Sequence, residues 1–256
     1  MMHPLLWVAW AAGAAVAAAA TSNPFYLAVI AAAAFLVHAA HGRGGAFRGF
    51  ALAGGVALVL RTTLVLVGPV ELGNVLASAL EGARLATLLV VLGAFNGVAD
   101  PFGVLRLAPG RFHEAALAVG LALQIAPRTI AAAGRIREAQ RLRGIELRGP
   151  RALAALAVPV LASGLEEAVL LAESMDARGH GRGPRTRYRP LGWSGRVALA
   201  AGSSVLAGTA FLAATLAGYG DLSPSMLPPR MPGAALPLVA AAALLAVPAF
   251  LREGGR

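Results

Sequence analysis

The chain has 256 residues, 58% of them hydrophobic and 13% charged, with a mean hydropathy of +0.71. That is more apolar surface than one soluble core of this length buries, so the composition places the chain in a lipid bilayer. Its net charge of +10 comes from arginine alone. The sequence holds no lysine and no cysteine, which excludes a Walker A nucleotide loop, disulfides, thiolate metal sites and a cysteine nucleophile.

In chain order, apolar runs extend from Leu5 to Ala20, Phe25 to Ala40, Phe50 to Gly68 and Leu76 to Gly97, each near the roughly 20 residues a helix needs to cross about 30 Å of hydrocarbon. The first run follows "MMHPLLWVAW", which has no Arg or Lys; it reads as a span rather than a secretory signal. His38 and His41 sit three apart near the end of the second run. With no third ligand nearby, they fit a headgroup boundary better than a metal site. Arg61 lies in mid-run and needs a neighbour or water, whereas Arg84 follows Glu81 by three and pairs with it.

Residues 112–190 depart from this pattern. The stretch from His113 begins apolar and turns polar from Arg135 onward, leaving only the narrow seam of Ile136, Ala139 and Leu142. A second helix follows, with Ser163, Glu166, Glu167, Glu173 and Ser174 on one side, Leu170 among them, and a bend expected at Pro159. More than half of the arginines gather at the ends of these helices: Arg128, Arg135, Arg137, Arg141, Arg143, Arg148 and Arg151, then Arg178, Arg182, Arg185, Arg187, Arg189 and Arg196. Both clusters are expected on the cytoplasmic side, so the segment between them cannot cross once. Glutamates deep in hydrocarbon would also cost a few kcal/mol each. The basic run "GRGPRTRYRP" at 181–190 reads as an anchor to anionic headgroups rather than a nucleic-acid surface.

Two further runs, Val197 to Ala217 and Ala234 to Leu251, close the chain. The expected fold is all-α: a polytopic membrane helix bundle of about six spans. Residues 1–111 supply the N-terminal spans, 112–190 a cytoplasm-facing module of long amphipathic helices, and 191–256 the C-terminal spans. Both termini are expected in the cytoplasm, with Arg252 and Arg256 on that side and Arg230 the lone outer arginine.

Within the module one short word occurs twice. "IREAQRLRG" and "LAESMDARG" each place an acid five residues before an Arg-Gly: Glu138 before Arg143 and Gly144, and Glu173 before Arg178 and Gly179. Glycine just beyond a helix and arginine near its C-terminus are ordinary in any single helix. Two copies, on two amphipathic helices facing one side of the membrane, form a pair of prongs whose guanidinium forks suit carboxylates on a partner.

At these residues the chain resembles the transmembrane T component of energy-coupling factor transporters, the CbiQ-like family, whose signature is a pair of Ala-Arg-Gly motifs ending coupling helices. Ala177-Arg178-Gly179 matches in full; Leu142-Arg143-Gly144 has Leu where the family has Ala. "TSNPF" after the first run and "EGARL" around Arg84 also fit the family. The resemblance implies a non-enzymatic scaffold without cofactor or metal, in the cell membrane. Two ABC-type ATPase subunits would dock on Leu142, Arg143, Gly144, Ala177, Arg178 and Gly179, supported by Glu138, Arg141, Glu173 and Asp176. A separate substrate-binding membrane subunit would take up a vitamin or a transition-metal ion. The alternative from another class is a lipid-modifying transferase using the Glu and Arg cluster around Glu166, Glu167 and Glu173. A permease carrying solute through its own bundle would need polar residues deep in several spans, and only Arg61 is a candidate.

Overall fold

The computed structural model describes residues 2–67, 71–144, 150–182, 192–225 and 230–251, the side chains of Leu66 and of 150–154 excepted. All regular structure among them is helical. The helices are α1 (Pro4–Ala19), α2 (Pro24–His41), α3 (Ala46–Leu64), α4 (Leu72–Val98), α5 (Pro101–Leu105), α6 (His113–Leu142), α7 (Pro150–Ala177), α8 (Gly195–Ala217) and α9 (Leu236–Leu244). They divide into two compact units, residues 1–107 with 191–256, and residues 108–190.

In the first unit the helix starts are written in the sequence. His3, Asn23 and Asp100 cap α1, α2 and α5 through their side chains, each followed by a proline at the first helical position. The bundle then closes where small residues let backbones touch. A Cβ on Gly13 of α1 would lie 2.1 Å from the Ser204 carbonyl oxygen of α8, and one on Gly208 would lie 2.9 Å from Gly13 Cα. Only glycine fits this crossing, and without a hydrophobic drive between spans such close van der Waals contact is what holds them together. Around it pack Leu6, Trp10, Tyr26, Ile30, Val91 and Phe211, all fully buried.

The word "TSNPF" has a structural account. Asn23, fully buried, donates from Nδ2 to the carbonyls of Asp221 at 3.0 Å and Gly233 at 2.8 Å, while its Oδ1 accepts from Phe25 N–H. Thr21 Oγ1 donates to the Leu222 carbonyl at 2.8 Å. Tyr26 donates its hydroxyl to the Gly220 carbonyl at 2.8 Å and accepts from Ala235 N–H at 2.7 Å. Three side chains at or just before the start of α2 thus clamp both ends of the connection between α8 and α9, pairing among others the carbonyl of buried Leu222.

Six helical segments are long and apolar enough to cross a membrane: α2, α3, α4, residues 110–142, residues 155–177 and α8. The number agrees with the sequence expectation, but the membership differs. The first expected span is a 16-residue helix, about 24 Å of rise against about 30 Å of hydrocarbon. The last expected span, Ala234 to Leu251, is not one helix: α9 ends at Leu244 and a 3₁₀ turn covers Val247–Phe250. Pro248 accounts for the break, because it has no N–H to give the preceding turn and its ring crowds the carbonyl four residues back. Side chains meet two carbonyls here: Trp10 Nε1 donates to that of Leu245 at 2.8 Å, and His41 Nε2 lies 3.0 Å from that of Pro248, which also accepts from Leu251 N–H at 3.2 Å. His41 therefore serves the backbone, and His38 stacks on Phe47 with ring centroids 4.0 Å apart.

The two uncomfortable arginines also have partners. Arg61 Nη1 donates to Ser78 Oγ of α4 at 3.1 Å. Arg84 pairs with Glu81 at 3.5 Å, as its spacing predicts, and caps α1 through the Ala19 carbonyl.

Candidate functional site

The second unit is built from α6 and α7, and its sequence-singled residues lie at the two helix ends. Arg128 of α6 and Glu167 of α7 form an ion pair at 3.0 Å. Leu121 and Ile125 of α6 line one apolar groove with Ala168, Leu171, Ala172 and Met175 of α7. Lower numbers on α6 thus meet higher numbers on α7, and the helices run antiparallel through this contact. Measured along each helix from the Arg128–Glu167 pair, Arg143 lies about 22 Å away and Arg178 about 16 Å away in the opposite sense, at about 1.5 Å per residue. The two Arg-Gly tips therefore sit at opposite ends of the helix pair.

Both interior prolines, Pro127 and Pro159, fall on the far side of that contact from their own tip. The stretches 128–142 and 167–177 are free of proline and keep unbroken backbone ladders. Pro127 was not singled out in the sequence as a bend, although it sits in the middle of α6.

The tips share one backbone device. At the second, Gly179 N–H donates to the Asp176 carbonyl at 2.8 Å and His180 N–H to that of Met175 at 3.0 Å, the paired bonds of a Schellman stop. At the first, Gly144 N–H donates to the Arg141 carbonyl at 3.0 Å in the same position. Gly144 and Gly179 have φ of +77° and +76°, and a Cβ on either would meet nothing within 4 Å. The glycines are thus demanded by the left-handed turn rather than by crowding within the chain.

Each turn leaves its arginine at the last helical boundary, in solvent. Arg143 and Arg178 are exposed, and so are Leu142, Ala177, Glu138, Arg141, Glu173 and Asp176, with Leu142 85% accessible. Among the described residues neither Arg143 nor Arg178 is ion-paired, and the acids five positions earlier stand about 140° around the helix from them. At the second tip Asp176 is engaged by Arg182 at 3.3 Å instead. The groove between α6 and α7, about 440 Å³, reaches Asp176 and His180 and so adjoins this tip.

The rival transferase reading draws on Glu166, Glu167 and Glu173. Among the described residues no three His, Asp or Glu side chains are grouped to hold a metal ion, and Glu167 is taken up by Arg128. Residues 145–149 and 183–191, with Arg148, Arg185, Arg187 and Arg189, lie outside the described residues, as do Arg252 and Arg256; Arg151 lies where only the backbone is described.

Comparison with known proteins finds partial sequence matches. No family model matches the chain. It is 36% identical over 91 residues to the energy-coupling factor transporter transmembrane protein EcfT of Bacillus subtilis (strain 168), covering 33% of this chain and 34% of that protein. It is 35% identical over 88 residues to the protein of the same name from Lactobacillus helveticus (strain DPC 4571), covering 32% of each chain. With that of Exiguobacterium sibiricum it shares 36% identity over 103 residues, 38% of each chain. The matched stretch spans about a third of the length of these curated relatives. Over that third the chain is similar to the T components of energy-coupling factor transporters.

Proposed function

We propose that this T-component relative is the membrane scaffold of an energy-coupling factor importer, transmitting ATP-driven motion from two ATPase subunits to a separate substrate-binding membrane subunit. Residues 112–190 act as the coupling module, and the flanking segments 1–111 and 191–256 hold it in the cell membrane. The module and both termini face the cytoplasm. The cargo is a vitamin or a transition-metal ion bound by the other membrane subunit, and the chain itself catalyses no reaction.

The observation that carries this reading is the pair of exposed, unpaired arginines held by like helix stops at opposite ends of one antiparallel helix pair. Tips separated in this way suit two partner molecules, one each, better than a single shared cleft. A guanidinium at a helix boundary offers a planar set of donors to a carboxylate. The positive φ of the next residue turns the chain sharply aside, leaving that fork accessible. When the ATPases close or open, the tips follow, and the proline-free stretches carry the displacement back to the contact at Arg128 and Glu167. Leu142 presents an apolar face where Ala177 presents a small one, so the two docking surfaces differ in bulk.

The test is co-purification of ATPase subunits with the tagged full-length chain. Removing or reversing one partner of a docked charge pair costs about 2 to 5 kcal/mol, so Arg143→Glu with Arg178→Glu lowers ATPase recovery by at least about 30-fold while the chain still inserts in the membrane. Undiminished recovery from that double variant overturns the docking role. Each single variant is expected to retain one ATPase contact and to fall between.

A further inference from the structure

We propose that the α3–α4 end of the first unit binds the headgroup of a zwitterionic phospholipid, with its phosphodiester on Arg61 and its primary ammonium on Glu81. The groove there has a volume of about 390 Å³ and is lined by Arg61, Leu64 and Val65 from the end of α3 and by Asn74, Ala77, Ser78 and Glu81 from the first turns of α4. Neither the coupling role nor its arginines enter this assignment.

The placement begins with packing. A Cβ on Gly82 would lie 3.0 Å from Leu58 Cα and 3.4 Å from Arg61 Cβ, so glycine at this position brings α4 against α3 at the level of Arg61. That approach sets Ser78, buried, within 3.1 Å of Arg61 Nη1. One donor of the fork is used to orient the side chain, and a guanidinium has five. Arg61 itself is exposed and opens on the groove.

A cation on the surface of a membrane helix needs water or an anion. Arg61 lies in the last turn of α3, about 9 Å by helix rise from the end of the following 3₁₀ turn at Val67, which is within reach of the phosphate layer for a long side chain. The neighbours Leu60, Leu64, Val67 and Leu72 are large, apolar and 56 to 88% accessible. They offer acyl chains a surface on either side of a polar notch.

The charge pattern selects among headgroups. Glu81 lines the same groove; its Oε2 sits 3.5 Å from Arg84 Nη1, a loose pair that leaves acceptor capacity on the carboxylate. Arg84 is held back by its bond to the Ala19 carbonyl. A ligand that met only Arg61 would favour anionic lipid, but Glu81 repels a second negative charge and accepts hydrogen bonds from an ammonium. Ethanolamine supplies N–H donors there, and the quaternary ammonium of choline has none. The notch has the size of a small-molecule pocket, which suits one headgroup rather than a helix.

Native mass spectrometry of the full-length chain, released from nanodiscs made with equal parts of phosphatidylethanolamine, phosphatidylcholine and phosphatidylglycerol of matched acyl chains, tests the assignment. The expected result is preferential retention of phosphatidylethanolamine, reduced roughly tenfold or more by Arg61→Ala, the size expected for losing hydrogen bonds to a charged group. Arg61→Gln keeps a polar, hydrogen-bonding side chain on the groove but removes the charge; it is expected to show the same loss. Glu81→Gln should erase the preference over phosphatidylglycerol while retaining phosphodiester binding. Equal retention of the three lipids, or retention by Arg61→Gln as strong as in the parent chain, overturns the proposal. Displacement of the lipid by glycerophosphoethanolamine at equal concentration would make the ligand a soluble phosphodiester and likewise overturn it.

Discussion

In the unit formed by residues 1–107 and 191–256, the polar side chains of Thr21, Asn23 and Ser204 are buried and hydrogen-bonded; in the unit of residues 108–190, α6 buries nothing and its charges stand in solvent. These side chains of the first unit are turned on its own backbone, closing carbonyls within it. The second keeps its own available, with two arginines at exposed stops and one ion pair between the helices. A unit whose buried Thr21, Asn23 and Ser204 side chains bond its own backbone is fitted to hold shape. One whose charges face outward at fixed turns is fitted to meet partners, and the contrast is itself an argument for a scaffold joined to a coupling element.

The largest expected effect that would sharpen this contrast is at Asn23. Asn23→Ala deletes two part-buried bonds to the carbonyls of Asp221 and Gly233 and the cap on Phe25, at about 2 kcal/mol for two lost hydrogen bonds, whose acceptors water can reach, together with a lost N-cap. Thermal unfolding of the full chain in detergent is expected to show a clearly lowered midpoint for the first unit. Hydrogen exchange should rise across residues 218–235, with exchange in α6 and α7 unchanged. An unaltered midpoint would mean that the clamp on the α8–α9 connection adds nothing to the stability of the bundle.

That network also marks the limit of what the sequence discloses. Membrane residence, the all-helical class, the Glu81–Arg84 pair and the paired Arg-Gly stops are all local in sequence, carried by composition or by spacings within one helix. "TSNPF" stood out as a family word, but its partners lie about 200 positions away, and no periodicity reports a contact of that range. The same holds for Arg61, whose partner Ser78 is on the next helix. The last run failed for a different reason. Ala234 to Leu251 is apolar enough for a span, yet Pro248 breaks it at reduced cost because Trp10, from another helix, takes up the Leu245 carbonyl. At the candidate site the motif residues were legible, whereas the separation of the tips depends on the antiparallel contact between α6 and α7, which neither helix encodes alone.

A smaller effect separates the turn from the fork. Gly179→Ala places a Cβ on a residue at φ +76° in open space, so it strains the backbone without any clash and costs about 1 kcal/mol. The expected outcome is fraying of the last turn of α7, read as faster exchange at the amides of residues 178–180. ATPase recovery should fall several-fold, and the first unit's unfolding midpoint should stay in place. Gly179→Asn, which tolerates the left-handed region better, should recover part of both. If alanine frays the turn and recovery holds, the orientation of Arg178 does not matter to docking.

The smallest expected effect is at the ion pair between α6 and α7 that the described residues form. Arg128 and Glu167 are 61% and 40% exposed, and pairs in such solvent contact are worth about 0.2 to 1 kcal/mol. A double-mutant cycle with Arg128→Ala and Glu167→Ala should therefore give a coupling below about 1 kcal/mol, weakening as salt is raised. The informative readout is transmission. If displacement passes between the helices through the apolar groove of Leu121, Ile125, Leu171 and Met175, cargo uptake by the complete transporter survives loss of the pair nearly intact. If uptake instead collapses while both ATPases stay bound, the ion pair is the joint between the two helices, and the second unit relies on an internal polar contact after all, as the first one does.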